Sequence, residues 1–225
     1  MIEKHTQSER MPLTREELER LTADDFVRLK LTEDEKSQLR EINKARERER
    51  VERSARLRIE EEPILAELRK IGWDINSVWD LVNTSSKYTD AIPILVKHLV
   101  LPYSDRTRAG IARALAVPEA KQAWSILVEE YRNAPTGMGI IAPDETKQFK
   151  LGAKDGLACA LSVAVTDATI GELIDLAKNR THGKSRLLLL SALRKSKNPL
   201  AKQALEELAN DPDLEKEIRS WRKNK

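Results

Sequence analysis

The chain reads as all-α: four to five helix pairs stacked in a row, preceded by a helical extension. Three recurrences predict this. ILVKHL at 94–99 returns as ILVEEY at 126–131, with a second apolar segment, IARALAV at 111–117, between them. Leu173 and Leu176 return as Leu205 and Leu208, and Ala160-Leu161 as Ala192-Leu193, both at that same offset. Pro63-Ile64-Leu65 returns as Pro93-Ile94-Leu95 at a slightly shorter one. One such pair cannot bury its apolar stripe alone, so neighbours must stack.

Composition agrees with this. Of 225 residues 40% are hydrophobic but only 4% aromatic, so the core must be aliphatic. Lys and Arg total 40 against 37 Asp and Glu, and a net charge of +3 does not select a partner; local clustering does. The lone Cys159 offers no disulfide frame and no zinc site, and reads as a small core residue. No apolar run approaches the roughly 20 residues that span a bilayer. The N-terminus MIEKHTQSER has no apolar targeting core, so a cytoplasmic protein without membrane contact is expected.

In chain order, residues 1–60 form a charged helical region. Residues 1–11 are expected to be disordered. LTREE at 13–17, LTADD at 21–25 and LTEDE at 31–35 then repeat one phrase, each Thr followed three residues on by Glu17, Asp25 or Glu35. This is the pattern of a capping box, with the preceding Leu as a hydrophobic staple. It predicts short helices near 15–20 and 23–29 and a long one from Glu33. Pairs such as Glu49 with Arg53 support the long helix locally. Its sparse apolar residues keep no clean heptad, which argues against a strong coiled coil. The Arg-rich segment 46–58 is interleaved with Glu47, Glu49 and Glu52, and reads as a solvated face before it reads as a nucleic-acid site.

The repeat region is expected over 61–225. Pro63 and Pro93 each open an apolar helix, since proline fits a first helical turn. Gly72 ends the first helix, and INSVWDLV at 75–82 is its partner. A helix from about Asp105 ends at Pro118, and EAKQAWSILVEEY follows at 119–131. An inserted loop at about 133–144 carries Gly137-Met138-Gly139, which lacks the form of a phosphate loop. Helix is expected again over about 145–164, with Gly152 and Gly156 inside it and close helix contact as compensation. Further helices begin near Thr169, Lys184, Pro199 and Pro212. Ala114-Leu115 precedes Ala160-Leu161 by more than the usual offset, an excess that the inserted loop mostly explains. A base stands six residues before each Ala-Leu pair: Arg108, Lys154 and Arg186.

Over roughly 62–221 this pattern resembles the HEAT-repeat family of armadillo-like α-solenoids. Asp105-Arg106-Thr107-Arg108 with Ala112, Ala114 and Leu115 carries the likeness best, although Thr107 stands where valine is usual. The resemblance implies a right-handed α-solenoid of four to five HEAT-like pairs. It also implies that Arg108, Lys154 and Arg186 are structural ladder residues pairing with neighbouring repeats. Most HEAT proteins are scaffolds or binding surfaces; a minority resemble alkylpurine glycosylases, whose catalytic aspartate and aromatic pocket match no residues here.

No catalytic set is recognisable. His5, His98 and His182 are dispersed, with no HExxH or CxxC, so neither a metal nor another cofactor is expected. Ser125 and Ser162 lack a nucleophile elbow. Trp73, Trp79 and Trp124 have apolar neighbours and read as core. One charge feature stands apart. Leu176 to Leu205 contains no Asp or Glu but eight cations: Lys178, Arg180, Lys184, Arg186, Arg194, Lys195, Lys197 and Lys202. The candidate partner-binding residues are Arg106, Arg113, Lys184, Arg194, Lys195 and Lys197. The expectation is a non-enzymatic protein-binding scaffold or adaptor with an acidic protein partner. The alternative is phosphate-backbone binding of nucleic acid by a basic face.

Overall fold

A computed structural model describes residues 10–223 of the chain. The expected disorder of residues 1–11 therefore lies outside the described residues for 1–9, as does His5. Arg10 is held in place, donating to Glu35 at 2.7 and 2.5 Å. The chain divides into two compact units, one ending at Ser54 and the other starting at Ala55.

The first unit contains α1 (Arg15–Arg20), α2 (Ala23–Arg28) and the start of α3 (Glu33–Lys70). Each helix begins on the recurring Thr. Thr14 and Glu17, and Thr22 and Asp25, form reciprocal capping boxes, with the Thr amides donating at 2.8 and 2.7 Å. Thr32 and Glu35 do the same for α3, at 2.8 and 3.2 Å. These bonds satisfy amides that a helix start leaves without internal partners. Leu18 and Ile42 are the buried aliphatic side chains among the described residues of this unit.

The sequence placed a new helix at Pro63, but α3 runs through it to Lys70. An interior proline costs about 3 kcal/mol or more. Ile64, Leu65 and Leu68 directly after it are all buried. At about 1.5–3 kcal/mol for each buried side chain, their burial outweighs the proline cost.

In the second unit, the helix expected over 75–82 is only one turn, α4 (Trp79–Val82). The Asp80 carboxylate accepts from the amides of Asn76 and Ser77 at 2.9 and 3.1 Å, favouring a local turn over an earlier helix start. There follow α5 (Ile92–Leu99), α6 (Asp105–Ala114), a 3₁₀ stretch Pro118–Ala123 and α7 (Trp124–Asn133). Then come α8 (Ala153–Ala164), α9 (Ile170–Lys178), a 3₁₀ stretch Arg180–Ser185, α10 (Arg186–Lys195), α11 (Pro199–Leu208) and α12 (Glu215–Lys223). The helix expected from 145 thus starts at Ala153, and Gly152 lies outside it as the N-cap. The intervening residues form a short hairpin instead, β1 (Met138–Gly139) antiparallel to β2 (Phe149–Lys150). Arg56 helps to hold this insertion, donating to the Pro143 carbonyl at 2.7 Å. The last helix starts at Glu215 rather than Pro212, because Asp211 accepts from the Asp213 amide at 3.0 Å and forms a turn there.

Packing follows the chain. α4 lies against α6, α6 against α8 and α8 against α10, while α9 lies against α11. Two glycines permit the closest approaches. A Cβ at Gly110 would stand 2.7 Å from Trp79 and Val78, and one at Gly156 would stand 2.9 Å from the Ala109 carbonyl oxygen. One core, mostly aliphatic but including Tyr88, Trp124 and Tyr131, extends from Ile64 to Ile218. The unit is all-helical apart from the two-residue strands, and its successive packing is consistent with a helical-repeat fold.

Candidate interaction surface

The three recurring bases each meet a neighbouring element. Arg108 on α6 forms an ion pair with Glu130 on α7. Lys154 on α8 donates to the Ala134 carbonyl at 3.0 Å and lies 5.1 Å from the Tyr131 ring centre. Arg186 on α10 is fully buried and bonds Asp211 at 2.9 Å and Asp213 at 3.1 Å. The Arg186 bonds hold the Asp211 carboxyl below its ordinary pKa range.

A second series of contacts was missed by the sequence reading, and it is made by acids. Glu61 accepts from the Val78 amide, just before α4, at 3.1 Å. Glu60 accepts from the Ser104 amide and hydroxyl at 2.7 and 2.6 Å and from the Thr107 hydroxyl at 2.5 Å, at the start of α6. Asp105 accepts from the Gly152 and Ala153 amides at 2.7 and 3.0 Å, at the start of α8. Each carboxylate meets the positive end of a helix on a later element. The bond that the Thr107 hydroxyl donates to Glu60 also explains how Thr107 is buried with its hydroxyl satisfied. The sequence carried no signal for this series: an acid so far before its target belongs to no local motif.

The acid-free interval is partly neutralised by acids beyond it. Lys178 pairs with Glu207 at 2.5 Å, Arg180 with Asp211 at 3.1 Å, and Arg186 with Asp211 and Asp213. Lys184, Arg194, Lys195, Lys197 and Lys202 are exposed, and none has an acidic partner among the described residues. Arg194, Lys195 and Lys197 stand together at the end of α10 and just beyond it, with the Arg194 guanidinium 4.9 Å over the Trp221 ring.

The other candidate residues sit elsewhere in this unit. Arg106 lies over the Trp79 ring at 4.2 Å, a cation–π geometry. Arg113 lines a cavity of about 330 Å³ that also contains Tyr88 and Cys159. Burial pushes the Cys159 thiol pKa up, opposite to the shift that would make it a ready nucleophile. Lys184 lines a different cavity, of about 510 Å³. The six candidates come from α6 (Arg106, Arg113), the 3₁₀ stretch before α10 (Lys184) and the end of α10 and the residues just after it (Arg194, Lys195, Lys197).

The remaining chemistry-bearing residues are embedded. His98 Nδ1 lies 2.8 Å from the Tyr103 hydroxyl. Trp124 donates to Glu172 at 2.8 Å, and Trp73 to Asp90 at 3.1 Å. His182 is buried against Tyr131, and burial together with the charges of Lys154, Arg132 and Arg186 pushes its pKa down to about 4. Among the described residues, no group of three or more His, Cys, Asp or Glu is placed to hold a metal ion, and no helix is long and apolar enough to cross a membrane. No family model, no curated protein and no solved structure matches this chain.

Proposed function

We propose that the second unit is a HEAT-like, right-handed α-solenoid serving as a non-enzymatic protein-binding scaffold. Its partner carries an acidic surface that docks at the end of α10. The observation that carries this reading is the trio Arg194, Lys195 and Lys197, exposed and without acidic partners among the described residues while Lys178, Arg180 and Arg186 are paired. Unpaired exposed cations raise the local potential and steer an oppositely charged partner. Trp221, stacked under Arg194, adds an aromatic body of the type enriched at binding hot spots.

The test uses the full chain and defined probes: poly-glutamate, a DNA duplex and a single strand, each titrated at two salt concentrations. Poly-glutamate should bind in preference to both nucleic acids. The variant Arg194→Ala/Lys195→Ala/Lys197→Ala should weaken that binding by about tenfold, or ~1.4 kcal/mol, with unchanged helicity. Unchanged affinity in the folded variant rejects the surface. Tighter binding to DNA, with a steep salt slope, replaces the protein reading with the nucleic-acid one.

A further inference from the structure

The cavity of about 510 Å³ is within the usual size of a small-molecule site, and its lining is unusual in charge. Lys150, Lys154 and Lys184 line it together with Asp155 and Ser185. Three lysines against one aspartate leave two positive charges in excess. The Asp155 carboxylate is already 3.6 Å from Lys150.

Lys154 is the informative member. It is only 6% exposed, and it donates a hydrogen bond to a neutral acceptor, the Ala134 carbonyl, at 3.0 Å. An ammonium has three donors; one meets the Ala134 carbonyl and the Tyr131 ring lies 5.1 Å away, which leaves the charge without an anionic partner among the described residues. A buried charge is costly unless it is paired, and no carboxylate pairs with Lys154 among the described residues. Desolvation lowers its pKa accordingly. Arg186 nearby is committed to Asp211 and Asp213, and the N-terminus of α8 to Asp105. The side chains, not a helix end, would therefore receive a ligand.

We propose that this cavity binds a small phosphate-bearing ligand, with Lys154 as the buried counter-charge and Lys150 and Lys184 reaching it from the exposed side. Phosphate supplies strong acceptors and a charge of about −2, matching the excess on the lining. The ligand supplies the negative charge that Lys154 lacks.

Calorimetric titration of the full chain with inorganic pyrophosphate at low salt tests this, with glutarate as a carboxylate comparator. Saturable one-to-one binding tighter than about 1 mM is expected. Lys154→Met, which keeps the apolar stem, should weaken it at least about tenfold, while Lys121→Ala at an exposed site elsewhere should not change it. If Lys154→Met does not fold, Lys150→Ala/Lys184→Ala carries the test and should weaken binding about fivefold or more. No saturable binding, equal affinity in the folded variants, or an equal loss in Lys121→Ala overturns the site. Tighter binding of glutarate overturns its assignment to phosphate.

Discussion

The units before and after residue 54 are held by different physics. In the first, three capping boxes and the Arg10–Glu35 ion pair do much of the ordering, around the buried Leu18 and Ile42. In the second, a continuous, mostly aliphatic core is supplemented by buried ionic contacts such as Arg186 with Asp211. Caps are each worth about 1 kcal/mol and act over one turn. Core side chains are worth more and couple residues distant in sequence. The first unit should therefore be sensitive in small local steps and the second in large shared ones.

Breaking the buried ion pair should have the largest effect. Arg186→Ala leaves the buried Asp211 without its principal partner, a type of loss that costs about 3–5 kcal/mol. Chemical denaturation of the second unit measures it. A loss below about 1 kcal/mol would put this pair among surface ion pairs and erase the contrast.

Acid should distinguish the two units next. His182 has a folded pKa of about 4 against an ordinary 6.5, so the unfolded chain binds more protons between those values. Its contribution to the second unit is full above pH 6.5 and is lost as pH falls toward 4. Glu35 is the opposite class of group: Arg10 and the Leu13 and Thr32 amides hold its pKa at about 2. Its contribution to the first unit is present above the ordinary value of 4.5 and is lost only as pH falls through about 2. Denaturation midpoints from pH 7 to 4 should fall less in His182→Asn than in the unmodified chain. Parallel slopes in the two proteins would remove His182 from this account.

The smallest expected effects are at the caps. Thr14→Ala and Thr22→Ala should each cost about 1 kcal/mol, read as faster amide exchange across α1 or α2 respectively. The unfolding midpoint of the second unit should not move. A shift there would show that the caps support more than their own turns.

These contrasts also explain how legible each part was in the sequence. Thr14, Thr22 and Thr32 act on residues three positions away, so their helix starts were readable to within a residue. The repeat was readable because apolar periodicity and its recurrence at a fixed offset survive without knowledge of contacts. Pro63 misled because its local preference is to start a helix, whereas the burial of Ile64 and Leu68 decided the outcome. Which of the eight cations are paired was not readable, because Glu207, Asp211 and Asp213 lie just outside the interval in sequence but beside Lys178, Arg180 and Arg186 in space. The acids at later helix starts were not legible at all. Glu60 meets Ser104, and Asp105 meets Gly152, with whole helices of chain between them.

By itself the sequence determined the helical class, the recurrence of the pairs and the capped starts of the first helices. Those depend on turn-length interactions and on period, which a linear pattern records. Only the tertiary structure decided that α3 passes through Pro63 and that the insertion forms a hairpin rather than the start of α8. It alone also decided which cations are paired and that Lys154 is buried without a carboxylate partner among the described residues. Desolvation and long-range pairing set those outcomes, and both depend on neighbours that the order of residues does not name.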